Sequence, residues 1–190
     1  MSDTPQTFLT EHLLVAMPSM GDPQFERTVI FLCSHDEEGA MGIVVNAPVI
    51  GVDFTDLAEQ LSLPGQPPAR NVPVRGGGPV EKGRGFLLHS GEYAAEHATL
   101  SISPAFGMTA TIEALKALSE GDGPRDALLA LGYSGWGPGQ LEYELQQNAW
   151  LTVPATPELV FHTPAKAQWG KALAAIGIDP RLLAATGGSA

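Results

Sequence analysis

Basic residues are scarce in this chain. Its 190 residues carry 10 Lys and Arg against 21 Asp and Glu, a formal net charge of −11 at pH 7. No run of Lys or Arg stands anywhere along it. A duplex binder neutralises phosphates with such a cluster, so direct nucleic-acid binding is not expected. Attachment to an anionic lipid surface is disfavoured for the same reason. Cysteine is nearly absent: Cys33 stands alone, which rules out an internal disulfide and fits a reducing compartment. It lies in the apolar run Val29–Cys33 and reads as a small buried hydrophobe rather than a reactive thiol. Long hydrophobic runs are missing too; none approaches the ~20 residues that cross a bilayer. The opening MSDTPQTF lacks the charged and apolar regions of a secretion signal. A cytoplasmic protein without membrane attachment is the expectation. Charged residues make up only 16%, while Gly (22) and Pro (16) are plentiful, which predicts many turns and short elements.

What is present is a single-domain sequence, residues 1–190, with residues 1–7 loose. Its size buries roughly 70% of the unfolded surface without staples. The densest patch of unusual residues is Gly132–Leu151, GYSGWGPGQLEYELQQNAWL. Glycines 135, 137 and 139 with Pro138 predict a turn after the buried strand Asp126–Leu131. A helix is then predicted from Gln140, burying Leu141 and Leu145 and carrying Gln140, Glu144 and Asn148 as a polar row. With Trp136 and the N–H groups of the helix start, this row can receive an anionic or planar ligand. The plainer alternative is that Trp136 and Trp150 are core and the row satisfies neighbouring backbone. Ser134 does not complete a nucleophile elbow, because Trp136 occupies the place of its last glycine.

The clearest hairpin joins Thr28–Cys33 to Met41–Asn46 through SHDEEGA. His35, Asp36, Glu37 and Glu38 read as a hairpin tip rather than a metal site, since adjacent turn residues point in several directions. Asn46, before Ala47-Pro48, is either a pocket contact or a turn residue. Helices are predicted over Asp53–Leu61, over Thr109–Leu118 with Ile112 inward, and over Lys166–Ile176 with Trp169, Leu173 and Ile176 inward. Short strands are predicted at Val72–Gly78, Gly85–Ser90, Ala98–Ile102 and Trp150–Val153, and a short helix leading into a strand at Phe8–Met17.

Gly76, Gly77 and Gly78 allow close approach of a ligand or of another backbone. They form neither a Walker loop nor a dinucleotide fingerprint, and no cofactor is implied. Arg75 beside them is an anion contact or the partner of a carboxylate. His89, ending a buried strand, is a satisfied structural residue or a base. Strands outnumber long helices and do not alternate with them. That predicts an α+β fold: one compact domain with a mostly antiparallel or mixed sheet and flanking helices.

Four motifs agree in order and spacing: LLVAMPSMGDPQFERTVIFLCSHDEEGAMGIVVNAPV, VRGGGPV with GFLLHS, GYSGWGPGQLEYELQQNAWL, and FHTPAKAQWGKALAAIGID. Together they resemble the YqgE/AlgH family of bacterial proteins over about residues 8–185, departing only in the tail ATGGSA. The resemblance implies a compact α+β domain in the bacterial cytoplasm. The family is often labelled a transcriptional regulator, after a member associated with control of alginate production. With this acidic charge, such regulation would run through a protein partner or a small anionic ligand rather than DNA. Family motif positions give a candidate surface of Asn46, Arg75, Gly76–Gly78, His89, Trp136, Gln140, Glu144 and Asn148. Two functions follow from different classes. One is a regulatory or adaptor protein with a binding cleft. The other is an enzyme acting on a phosphorylated or nucleotide-like molecule, with Arg75 holding the anion and Glu144 or His89 moving a proton. Trp136 at an oligomer interface is a third possibility.

Overall fold

The computed structural model describes residues 7–18, 26–65, 71–110 and 112–185. Strands β1 (His12–Ala16), β2 (Val29–Asp36), β3 (Gly39–Val44), β4 (Val74–Gly76), β5 (Val80–Ser90), β6 (Thr99–Ser101), β7 (Phe106–Thr109), β8 (Ala127–Trp136) and β9 (Trp150–Pro154) form one sheet. Helices α1 (Phe54–Gln60), α2 (Ile112–Ser119), α3 (Gln140–Gln146), α4 (Pro157–Phe161), α5 (Ala165–Ala175) and α6 (Pro180–Ala185) accompany it. The order is β6-β7-β5-β8-β3-β2-β1-β9, with β4 beside β8. Every pairing is antiparallel except β4 with β8. The sheet curls into a half-barrel within a single α+β domain. Among the described residues no helix is long and apolar enough to cross a membrane.

Both faces of β2 are buried, so its sequence reads as a continuous apolar run rather than an alternation. Phe31 and Cys33 enter the main core with Phe86, Leu88, Phe106 and Trp169. Ile30 and Leu32 enter a second layer with Trp136, Leu141 and Trp150. A third cluster packs Phe54 of α1 and Leu118 of α2 on Leu87 and Leu129. Each fully buried Leu or Phe adds about 1.5–3 kcal/mol of transfer free energy. Burial also raises the Cys33 thiol to about 12, which leaves it protonated and unreactive. At α1 a capping box forms: Asp53 accepts the Asp56 N–H (2.8 Å) and Asp56 accepts the Asp53 N–H (3.1 Å).

Several sequence expectations are corrected. The β2–β3 connection is shorter than SHDEEGA, because Asp36 already pairs with Gly39. The strand expected to end at Leu131 runs on to Trp136, and the turn falls at Pro138–Gly139, inside the glycine-rich stretch expected to make it. The first half of β8 pairs with β4 and β5, and Ser134–Trp136 pair with β3, so one strand joins both halves of the sheet. Gly132 permits this at φ +79°, where register shifts by several residues against β5. The strand expected at Gly85 starts instead at Val80, with Glu81–Arg84 exposed. Thr109 ends β7 rather than opening a helix, and Ile112 of α2 is exposed. On α5, Trp169 and Leu173 point inward, whereas Ile176 is exposed past the last turn. A strand preceded by a turn, not a helix, fills Phe8–Met17. The loose-terminus expectation for residues 1–7 falls outside the described residues except at Thr7.

Candidate functional site

The end of β3 and the start of β4 bring Asn46, Arg75 and the glycine run together. Asn46 is held at both ends of its amide. Its Oδ1 accepts the Val29 N–H (2.9 Å) and its Nδ2 donates to the Arg27 carbonyl (2.8 Å). Arg75 donates from Nε to the Val45 carbonyl (3.0 Å), and among the described residues it has no carboxylate within ion-pair range. Burial lowers its pKa from the ordinary arginine value. Gly77 accepts from Val44 N–H and donates to Leu131 O, both at 2.9 Å, so this glycine stitches β3 to β8.

Beside Asn46 lies a cleft of about 790 Å³. Arg27, Lys166 and Arg181 line it with Trp169, and Glu26 is the one carboxylate among its lining residues. The Arg27 guanidinium sits 5.4 Å over the Trp169 ring, while the Trp169 indole donates to the Ala16 carbonyl (2.9 Å). Stacking thus holds one cation at the wall. Arg181 is tied to Asp179 (2.8 Å). The start of α5 forms another wall, where Pro164 supplies no side-chain cap. An adjoining cleft of about 460 Å³ shares Thr28 and Ala47 and is lined by Gly76, Gly78 and Lys82. Sequence reasoning missed Arg27, Lys82, Lys166 and Arg181, which stand alone in the chain without a motif.

The other candidates lie elsewhere. Glu144 Oε2 accepts both indole N–H groups, from Trp136 (2.9 Å) and Trp150 (2.8 Å). Gln140 braces this arrangement: its Oε1 accepts the Gly137 N–H (3.0 Å) and its Nε2 donates to Glu144 Oε1 (3.3 Å). Asn148 does not continue the polar row. Helix α3 ends at Gln146, and Asn148 takes a left-handed φ of +57° just after it, while the Ala149 N–H reaches back to Glu144 O (3.0 Å). Ser134 is buried, with its hydroxyl toward the Gly77 carbonyl (3.4 Å). At the hairpin tip, His35 Nδ1 accepts the Leu9 N–H (2.9 Å), which leaves Nε2 to donate to Glu142 (2.6 Å). Among the described residues no three His, Cys, Asp or Glu converge as metal ligands would.

His89 is fully buried. Its Nδ1 donates to the Ser90 carbonyl (2.9 Å), and its Nε2 accepts from the Thr109 hydroxyl (2.8 Å), itself bonded to Thr99 (2.7 Å). Burial holds the imidazole below its ordinary pKa, although the Ser90 bond and Glu92 oppose part of that shift. The unfolded chain therefore takes up a proton near about pH 6.5, where the folded chain does not. The stability contributed by neutral His89 is complete above that pH and is lost as pH falls below it. Wild type is expected to lose more urea resistance between about pH 7.5 and 5.5 than His89→Gln, which cannot titrate. Equal losses in both proteins would refute this account.

Arg75, His89 and Glu144 thus occupy three separate surroundings: the β3–β4 junction, the β5–β7 interior and the paired indoles of the α3 layer. Neither of the two adjoining clefts has any of the three on its wall. The chemistry left exposed is a cation-lined cleft on a curled sheet, a geometry suited to holding a ligand.

The AlgH-like family model matches residues 13–181, so the chain belongs to the AlgH-like family. A UPF0301 protein of Cereibacter sphaeroides is 52% identical over 182 residues, covering 96% of this chain and 99% of its own. A UPF0301 protein of Rhodospirillum rubrum is 51% identical over 183 residues, covering 96% and 95%. The solution structure of AlgH from Pseudomonas aeruginosa superposes with a TM-score of 0.78 at 41% identity, over 100% of both chains. A Corynebacterium diphtheriae protein shares the fold alone, with a TM-score of 0.65 at 20% identity over 87% and 86%.

Proposed function

We propose that this AlgH-like protein works by binding rather than by catalysis, holding a small anionic ligand in the cleft between Arg27, Asn46 and Lys166. One observation carries the reading. Four of the chain's ten basic residues line the two adjoining clefts, and with Arg181 paired to Asp179 the other three, Arg27, Lys82 and Lys166, still face a single lining carboxylate, in a protein of net charge −11. A cleft lined by one sign of charge focuses its field and concentrates counter-ions. Any regulatory role then passes through ligand and partner protein, because the overall charge opposes contact with DNA. A cytoplasmic location belongs to the same reading and is supported by the single buried cysteine. The enzymatic alternative needs Arg75, His89 and Glu144 around one substrate, and their separate surroundings favour binding instead.

The test is a thermal-shift series at low salt with inorganic phosphate, pyrophosphate and ATP. A ligand that binds the folded state adds about 2.7 kcal/mol at a hundred times its Kd and raises Tm accordingly. Wild type is expected to respond to at least one of the three. Lys166→Ala, an exposed change, is expected to weaken that response without lowering the ligand-free Tm. Arg27→Ala is expected to abolish it. No response in wild type, or an unchanged response in both variants, would overturn the reading.

A further inference from the structure

A second concave surface opens over strands β3, β5, β7 and β8. There the main core reaches the surface as a concave mouth of about 760 Å³, sharing no lining residue with the cation-lined cleft. Its floor is Met41, Phe86, Met108 and Tyr133, all belonging to or packed against the main core. Leu100 on the edge strand β6 extends the apolar surface and is 46% exposed. Asp36, Glu38 and Glu81 add three carboxylates against one cation among the lining residues, Arg84. That arginine lies 5.0 Å over the Phe86 ring and 3.5 Å from the Glu81 carboxylate. The chain therefore already seats one guanidinium in this mouth, on an aromatic face and beside an acid, and that guanidinium is its own.

We propose that the mouth docks a basic segment of a partner protein, with arginine set between apolar residues, and that the incoming arginine displaces Arg84 from Phe86 and Glu81. Charge complementarity selects the occupant: an excess of carboxylates attracts a cation, and the exposed apolar floor favours apolar neighbours over a bare ion. Arg84 is half-exposed and stands on the part of β5 whose register against β8 is interrupted. It acts as an internal competitor. The inference is independent of the anion cleft, since the two sites select opposite charges.

The probe is a fluorescein-labelled peptide, RLRLRL, read by anisotropy at about 0.15 M salt with ELELEL as control. Wild type is expected to bind RLRLRL and not ELELEL. Arg84→Ala is expected to bind about fivefold more tightly, because it frees the ring and the acid. The Asp36→Asn/Glu81→Gln double variant is expected to bind about tenfold more weakly. Removing two carboxylates outside the mouth, in Glu59→Gln/Glu120→Gln, is expected to change affinity less than twofold, which separates docking from general attraction to an acidic protein. Four outcomes would overturn the proposal: no binding by either wild type or Arg84→Ala, equal binding of ELELEL, equal weakening by both double variants, or full competition by free arginine amide at matched guanidinium concentration.

Discussion

Glu144→Ala is expected to lower stability by about 3 kcal/mol, among the largest effects of any polar substitution in this protein. Two buried indole N–H groups share the Glu144 Oε2 atom, and both rings belong to the layer that packs Leu14, Ile30 and Leu32. Losing the acceptor of a buried donor costs about 1–3 kcal/mol, and this one substitution removes it from two. Glu144→Gln keeps a carbonyl oxygen in place and is expected to cost only about 1 kcal/mol. Urea unfolding followed by tryptophan fluorescence measures both, because the affected rings are the reporters. A carboxylate kept for a ligand or for proton transfer would instead leave unfolding close to wild type. A Glu144→Ala protein within about 0.5 kcal/mol of wild type would therefore return this residue to the list of functional candidates.

The same residue shows how far the sequence was legible. The spacing of Gln140 and Glu144 on α3 is readable because a helix sets a fixed period. The two tryptophans that saturate Glu144 come from β8 and β9, and no local pattern announces that meeting. The β2–β3 hairpin was legible from its β-branched run and polar tip, and the buried face of α5 from Trp169 and Leu173. Where tertiary pairing overrode local chemistry, the reading failed. Gly135 looks like a turn residue, yet pairing with Met41 of β3 keeps it in β8. Strand β7 has four residues and runs almost directly into a helical pattern, so periodicity had too little length to show it. At the candidate site Asn46 was visible beside its proline, whereas the cations around it were not. Arg27 precedes β2 and Lys166 opens α5, and only the packing of α5 against β1 and β9 sets them on one cleft.

The glycine run that begins at the end of β4 separates a ligand loop from a backbone crossing, and the three positions are expected to behave differently. A Cβ on Gly77 would stand 2.2 Å from the Gly132 carbonyl oxygen. One on Gly78 would stand 2.3 Å from the Tyr133 backbone, at a φ of +152° that side chains rarely adopt. Neither neighbour is a side-chain tip that can swing away; both are main chain of β8, the strand that joins the two halves of the sheet. Gly77→Ala and Gly78→Ala are each expected to cost about 3 kcal/mol or more. At Gly76 the nearest atoms are Ala47 O at 3.9 Å and Val49 Cγ2 at 4.0 Å, so its alanine variant is expected to stay within about 0.5 kcal/mol of wild type. Urea denaturation of the three variants, with amide exchange along β8, checks the ranking. Equal and small effects at all three would mean that β8 does not need this close approach. The glycines would then be open to a ligand, and the phosphate series repeated on Gly77→Ala would show whether an anion uses them. A steep cost at Gly77 and Gly78 with none at Gly76 would assign two of the three to the fold. Only Gly76 would then be free to serve the cleft that it lines with Lys82.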